Sequence, residues 1–427
     1  MVSAVLFGSF IIFIILNTPI GIALGLASLV TISYSGQVEL SYLAQSLTTS
    51  VDSFPLMAVP FFILAGELMG RGGISKRLLN VGNMLFGRYT GGLAIVTIVS
   101  CMFFAAISGS GPATVAAIGG IMLPEMVKRG YEKGFSSGLV ATAGSIGVMI
   151  PPSIPMVIYG VSTGVSISTM FIAGLVPGIL VGLALITWSY ISSKKKGFSG
   201  NENKFSLKEF MKAVNDAKWA LFVPVIILGG IYGGVFTPTE AAAIAVVYGF
   251  VVGTFVYKDL ALKDIPNVVI SAALMTSTVL IIVGTATTFG RILTIEQIPT
   301  KLANTIISFS DSKIVILLLI NLLLLFVGCF METLAAIIIL APILLPVATK
   351  IGVDPVHFGI IMVVNLAIGF MTPPLGVNLF VTCGIGDISI EKISKSIIPW
   401  LLVMIAALML ITFVPGLTLT LPKLMGF

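Results

Sequence analysis

The 427-residue chain is 57% hydrophobic and only 9% charged, with a mean hydropathy of +1.14; soluble domains carry about 25% charged residues, so a soluble protein is excluded and an all-α integral membrane protein is indicated. The net charge of +6 is spread through the hydrophilic loops, as cytoplasmic loop charge and not as a nucleic-acid surface. One histidine, His357, leaves little room for histidine-based catalysis, and Cys101, Cys329 and Cys383, scattered in apolar runs, read as packing residues and not as a disulfide or metal cluster.

No basic n-region or small-residue cleavage site opens the chain, so no cleaved signal is expected. Met1 to Val38 carries no charge. At 1.5 Å per residue this is about 57 Å of helix, too long for one span, and Asn17-Thr18-Pro19 divides it in two. A third span runs from about Val51 to Gly70 and ends in a basic loop with Arg71, Lys76, Arg77 and Arg88. The uncharged run from Tyr89 to Pro124 is interrupted by Ser108-Gly109-Ser110-Gly111-Pro112. Arms of about 17 and 12 residues around a Gly/Ser tip predict a re-entrant hairpin, because neither spans a bilayer comfortably. Gly134 to Ser193 is again free of charge and contains I-G-V-M-I-P-P-S-I-P-M-V-I-Y-G, from Ile146 to Gly160. Its prolines remove backbone donors and clash with the preceding turn. Lipid cannot satisfy the freed carbonyls, so they must face protein or a polar cavity. A helix ending near Ser192 follows.

Lys194 to Lys218 is the one substantial polar segment, with seven lysines, and belongs on the cytoplasmic side. It reads equally as an amphipathic surface helix presenting Phe205, Leu207, Phe210 and Met211, or as a solvated hinge. Trp219–Gly234, Glu240–Tyr257 and Ile265–Gly290 are spans, the last ending at Arg291. Ile314–Lys350 makes two short apolar arms around a break at Gly328 to Thr333. A second broken helix, Pro355–Gly386, contains I-G-F-M-T-P-P-L-G-V-N-L-F from Ile368 to Phe380, and a last span lies near Ile398–Val414.

Pro151 and Pro373, Pro124 and Pro346, Gly147 and Gly369, and Lys128 and Lys350 each stand 222 positions apart. The chain therefore reads as two repeats, 1–193 and 219–427, joined by the linker 194–218. Hairpins fall at about 91–128 and 314–350, and broken helices at about 135–160 and 355–386. About five spans plus one hairpin per repeat is an odd number, so the second repeat must be inverted. With the linker inside, both termini lie outside, and 18 of the 23 Lys and Arg residues fall on the inner side, as the positive-inside rule requires.

Broken helices at matched positions point to a transport site. Helix ends at mid-membrane present carbonyls to a hard cation such as Na⁺, or N–H groups to an anion. One cation site is expected from Ala106, Gly109, Gly147 and Ile150, and its counterpart from Gly328, Met331, Gly369 and Thr372. Ser108, Ser110, Thr333, Asn378 and Arg291 are candidates for the substrate, an arginine being the natural partner of a carboxylate. Glycine pairs such as Gly21–Gly25 and Gly178–Gly182 read as helix-packing positions. Glu332, beside a helix N-terminus, reads as a cap or as a proton or cation ligand. Arg71 and Arg291 read also as interface anchors, and Glu67 and Glu240 as interfacial residues.

Several of these motifs carry a resemblance. T-P-T-E-A-A from Thr237, A-G-S-I-G-V-M-I-P-P-S-I-P from Ala143 and T-P-P-L-G-V-N-L-F from Thr372 resemble the large membrane subunit of tripartite ATP-independent periplasmic (TRAP) transporters, the DctM-like family. P-F-F-I-L-A-G from Pro60 and L-A-A-I-I-I-L-A-P-I-L-L-P from Leu334 fit as well. The resemblance covers essentially the whole chain. It implies a bacterial inner-membrane symporter driven by Na⁺, working by an elevator motion. It also implies a periplasmic substrate-binding protein and a small four-helix membrane subunit, here expected as a separate chain. The cargo it implies is an organic acid: a C4-dicarboxylate, a sialic acid or another sugar acid. An enzyme is not expected. Gly384-Ile385-Gly386-Asp387 matches the G-x-G-D of intramembrane aspartyl proteases, but no Tyr-Asp partner motif is present. The rival reading is a channel or proton-coupled carrier on the same frame.

Overall fold

The computed structural model describes residues 1–36, 38–200, 206–301, 304 and 312–427, and among them every regular element is helical. Among the described residues, seven helices are at least 18 residues long and apolar enough to cross a bilayer, or eight if one bent pair is counted as a span.

Helices α1 (Val2–Ile15) and α2 (Ile20–Ser35) are separated at Leu16–Pro19, where the sequence places the break. They are 14 and 16 residues long, so each covers less than the roughly 30 Å hydrocarbon core. Gly21 and Gly25 face α14 (Ile265–Ile295): a Cβ on Gly21 would meet Ile281 at 2.9 Å, and one on Gly25 would meet Thr285 at 3.1 Å. These glycines serve packing.

Two helices were not legible as such. Helix α3 (Leu40–Thr49) precedes α4 (Ala58–Arg71), and α5 (Ile74–Phe86) occupies much of the expected basic loop. The α4 segment and α5 are bent by 64° at Gly72-Gly73, where Gly73 takes φ +76°. Helix α5 buries Ile74, Leu78 and Leu79 while Lys76 stays exposed. Apolar residues at this spacing form one face of an amphipathic helix, and the lysine that suggested a loop lies off that face.

The first hairpin comprises α6 (Gly92–Ser108), the tip Gly109-Ser110, and an arm of α7 (Gly111–Thr114), a π turn (Val115–Gly119) and α8 (Gly120–Lys128). This arm runs through Pro124 and is longer than the expected 12 residues. The first broken helix follows as α9 (Lys133–Ser145) and α10 (Ile154–Thr163), parted by a cis Pro151–Pro152 bond. Ser153 accepts from the Met156 N–H at 3.4 Å and donates to the Val148 carbonyl at 2.6 Å. One side chain thus caps α10 and satisfies a carbonyl freed by the break.

Helix α11 (Ile167–Lys196) and α12 (Leu207–Tyr232) take up both ends of the expected linker. The amphipathic stretch from Leu207 is continuous with a span, and Phe205 lies outside the described residues. Helix α13 (Pro238–Val251) starts with a capping box between Thr237 and Glu240. The second hairpin has arms α15 (Lys313–Phe330) and α16 (Thr333–Lys350), 18 residues each. Those arms are long enough to span, so length alone does not set the hairpin apart. The second broken helix is α17 (Pro355–Gly369) and α18 (Val377–Gly386), with a cis Pro373–Pro374 bond between them. Helix α19 (Ile390–Phe413) is followed by α20 (Gly416–Leu424), which the sequence did not announce. Gly111 and Thr333, which open the second hairpin arms, and Lys133 and Pro355, which open the broken helices, again stand 222 positions apart.

Candidate substrate and cation sites

Both hairpin tips and both helix breaks meet around one cavity of about 220 Å³. Gly109–Pro112 come from the first tip, and Val148, Ile154 and Pro155 from the first break. Glu332 and Leu334 come from the second tip, Phe370 and Val377 from the second break. Ile63 of α4 and Met275, Thr278, Val279 and Ile282 of α14 close the wall.

The expected first cation set is buried throughout. Gly109 takes φ +59°, and its carbonyl accepts the Ile154 N–H at 3.3 Å, which ties the tip to the break. A Cβ on Gly147 would lie 2.5 Å from the Ser110 carbonyl oxygen and from Thr114 Oγ1, so this glycine lets the break touch the tip. Ala106 sits one turn back on α6. Both the side chain and the backbone of Ile150 pack on Gly178 of α11. Ser108 and Thr114 hydroxyls lie 3.0 Å apart, and Thr114 donates to the Ser110 carbonyl at 2.7 Å. Thr114 was missed because a lone threonine inside an apolar helix breaks no pattern.

In the second set, Gly328, Met331 and Gly369 line a separate cavity of about 140 Å³ with Glu332 and Phe370. Thr372 stands beside it, its hydroxyl donating to the Ile368 carbonyl at 2.7 Å. Besides Glu332, the second pocket is lined by glycines and apolar residues, whose oxygen atoms are main-chain carbonyls. No group of three or more His, Cys, Asp or Glu side chains gathers anywhere among the described residues.

The substrate candidates are not brought together. Ser110 lines the central cavity, while Ser108 is buried behind the tip and Thr333 turns to the Leu366 carbonyl at 3.5 Å. Asn378 is fully buried and donates to the Ala141 carbonyl at 3.0 Å and to Ser145 at 3.2 Å, bridging α18 to α9. Its Oδ1 has no hydrogen-bond partner and lies 3.4 Å from where a Gly111 Cβ would sit. Arg291 is exposed on α14, about 13 Å along the helix from the cavity residue Ile282. It does not reach the cavity. Arg71 pairs with Glu67 at 3.5 Å and donates to Ser271 of α14 at 3.1 Å. Glu332 caps α16, its Oε2 accepting from Leu334 and Ala335 at 3.0 and 3.2 Å.

A buried polar chain in the second half also escaped the sequence reading. Asn365 donates to Asn321 Oδ1 at 2.7 Å, and Asn321 donates to Thr412 Oγ1 at 3.1 Å. His357 lies 2.8 Å from Thr418 Oγ1 and 3.2 Å from the Thr412 carbonyl. Single polar residues in membrane segments are the signal that could have found it.

Residues 7–417 match the family described as "Tripartite ATP-independent periplasmic transporter, DctM component". The chain belongs to the DctM family. A DctM relative from Oleidesulfovibrio alaskensis, named isethionate TRAP transporter permease protein DctMQ, is 56% identical over 96% of this chain. The chain spans only 65% of that relative's length. The C4-dicarboxylate TRAP transporter large permease protein DctM of Rhodobacter capsulatus is 42% identical over the whole of both chains. The sialic acid TRAP transporter large permease protein SiaM of Vibrio cholerae is 40% identical over 95% of both. Among solved structures, the Alcanivorax borkumensis YdaH transporter superposes with a TM-score of 0.66 at 17% identity, over 88% of this chain and 89% of its own. Neisseria gonorrhoeae MtrF gives 0.59 at 12% identity, over 96% of both; at such identities the likeness is one of fold. This DctM chain is thus a multi-pass membrane transporter permease and not an enzyme. Asp387 of the protease-like run ends α18 exposed, its carbonyl accepting from Lys133 at 2.6 Å.

Proposed function

We propose that this DctM chain is the transport subunit of a Na⁺-coupled symporter that imports a small organic anion. The observation that supports it most is the convergence of two tips and two breaks on one cavity, beside a backbone-lined pocket at Gly328 and Gly369. The cavity is the substrate site. Ala106, Gly109, Gly147 and Ile150 hold one Na⁺, and Gly328, Met331, Gly369 and Thr372 hold another. The two halves are inverted repeats, with the boundaries given above. The hairpins and broken helices carry the site past α4 and α14 in an elevator motion. The cargo is drawn from the acids named for the relatives: isethionate, C4-dicarboxylates and sialic acid.

The membrane is the bacterial inner membrane, with both termini periplasmic. A small membrane subunit and a periplasmic binding protein complete the system. The extra length of the relative named DctMQ supports a small-subunit partner. The test is uptake into proteoliposomes holding the large and small subunits, with binding protein outside, an inward Na⁺ gradient and a panel of labelled acids. Saturable uptake that needs Na⁺ and binding protein is expected. Uptake indifferent to Na⁺, or non-saturable, would favour a proton-coupled carrier or a channel.

A further inference from the structure

A cleft of about 610 Å³, apart from the central cavity, lies where α5 and α12 face the first hairpin. Among the described residues, Lys76, Arg77 and Arg129 bring three cations to its lining, and Glu125, Asp216 and Asp259 bring three carboxylates. The charges cancel, so a simple anion or cation gains no net attraction there. Arg77 is engaged with Asp259 and Asp216, and Arg129 pairs with Glu125 at 3.0 Å. Lys76 is exposed and forms no ion pair among the described residues. Much of the remaining lining is apolar, with Leu93 and Val96 from α6 and Ile121 and Met122 from α8. From Ile121 to Arg129 the wall changes from apolar to charged within eight residues, about 12 Å of helix. Ile121 is 44% exposed, so the apolar end of the cleft is open. An occupant that satisfies this lining is amphipathic and carries both signs of charge in one head.

We infer that this cleft binds a zwitterionic phospholipid with a primary ammonium in its headgroup, of the phosphatidylethanolamine type. The phosphate is taken by Lys76 and the neighbouring Asn80 amide, and the ammonium by Glu125. The first part of one acyl chain lies on Val96, Ile121 and Met122. A volume of about 610 Å³ falls within the roughly 300–1,000 Å³ of small-molecule pockets. It holds a headgroup and the start of a chain, while the remainder stays in the bilayer. A primary ammonium donates three hydrogen bonds to carboxylates, whereas a trimethylammonium donates none, so ethanolamine is preferred to choline. A glycerol headgroup leaves the lipid a net anion with no cation to offer Glu125, and it also ranks lower. The bound lipid bridges the hairpin to α5 and α12 across a gap that protein does not fill.

The test is native mass spectrometry and thermal unfolding of the delipidated complex of this chain with its small subunit. It is titrated with dioleoyl phosphatidylethanolamine, phosphatidylglycerol and phosphatidylcholine, which differ only in headgroup. The wild type should bind the ethanolamine lipid about fivefold more tightly than the other two, the effect of one partly exposed ion pair, and should melt higher with it. Lys76→Gln should weaken all three lipids by a similar factor, because each carries the phosphate. Glu125→Gln removes the ammonium acceptor and leaves the lining net positive. It should cancel the advantage of ethanolamine and raise phosphatidylglycerol above phosphatidylcholine. Asp387→Asn, an exposed carboxylate at the end of α18, is the control and should keep the wild-type order. Equal binding of the three lipids by the wild type, an order that survives Glu125→Gln, or one that is lost in Asp387→Asn overturns the site. Stabilisation by water-soluble glycerophosphoethanolamine as large as that by the lipid overturns the lipid as occupant in favour of a soluble zwitterion.

Discussion

Gly328 and Gly369 meet backbone to backbone: a Cβ added to Gly369 would lie 2.6 Å from the carbonyl carbon of Gly328 and 2.7 Å from its Cα. No flexible side chain stands between the hairpin arm and the broken helix, so an added methyl must move main chain. Gly369→Ala should therefore separate α15 from α17 and open the pocket beside Glu332. Overpacking of this kind costs about 1–3 kcal/mol, and a displaced ligand shell costs more in function than in stability. Na⁺-stimulated uptake should fall at least about tenfold, with the melting temperature lowered by a few degrees. Uptake at the wild-type level would remove Gly369 from the ion site.

Gly109 makes the same argument at the first tip through conformation. Its φ of +59° is costly for any residue with a Cβ, and such an atom would lie 2.8 Å from the Pro152 carbonyl oxygen. Gly109→Ala should destabilise by about 1–2 kcal/mol from the left-handed backbone alone. Gly384 is the internal control: it lies inside α18 with ordinary φ, and nothing stands within 4 Å of its Cβ position. Gly384→Ala should be neutral or stabilise by up to about 1 kcal/mol. Thermal unfolding of the two variants side by side checks both.

The breaks and tips were legible because proline doublets and a Ser-Gly-Ser-Gly-Pro run are locally incompatible with a continuous helix, whatever packs around them. Helices α3 and α5 were not, since α5 draws its order from burying Ile74, Leu78 and Leu79, and a short polar face reads as loop in a hydropathy scan. Helix α8 ran past Pro124 because tertiary packing of Leu123 and Met126 outweighs one missing donor. Arg291 was chosen for its chemistry, which says nothing of its distance along α14 from the cavity. Asn378 had the right neighbourhood, yet its amide is spent on Ala141 and Ser145. A site made of main-chain carbonyls would leave the least trace of all, since every residue carries one whatever its side chain.

Arg77 joins three segments. Its guanidinium stacks 3.7 Å from the Tyr257 ring centre, pairs with Asp259, and lies 3.6 Å from Asp216 of α12. The arginine side chain is 17% exposed, whereas Asp216 and Asp259 are 59% and 41% exposed, so solvent screens the pairs and each contributes at most about 1 kcal/mol. The stacking adds about 0.5–2 kcal/mol. Arg77→Lys keeps the charge but loses the planar stack and the fork, so it should recover less than half of the stability lost in Arg77→Met. Full recovery by lysine would show that charge alone matters. The Arg77→Met penalty should also shrink in high salt, but not vanish, because the ring contact is not screened.

Asn321 and Asn365 provide the last prediction. Positions 222 residues earlier hold Val99 and Ala143, so the first half packs the corresponding place with apolar groups. Asn365 is fully buried, donates to both the Asn321 carbonyl and Oδ1, and leaves its own Oδ1 without a partner. Asn365→Ala deletes that orphan but strands Asn321 Oδ1. Asn321→Val deprives Asn365 of a side-chain acceptor and Thr412 of a donor. Each single change should destabilise by about 1–3 kcal/mol. The double variant removes both partners together, so its cost should be smaller than the sum by about 0.6–1.7 kcal/mol, the range of interhelical hydrogen bonds in membrane proteins. Denaturant unfolding of the detergent-solubilised protein measures all four corners of the cycle. Strict additivity would mean that the two asparagines act independently, each held by backbone and not by the other.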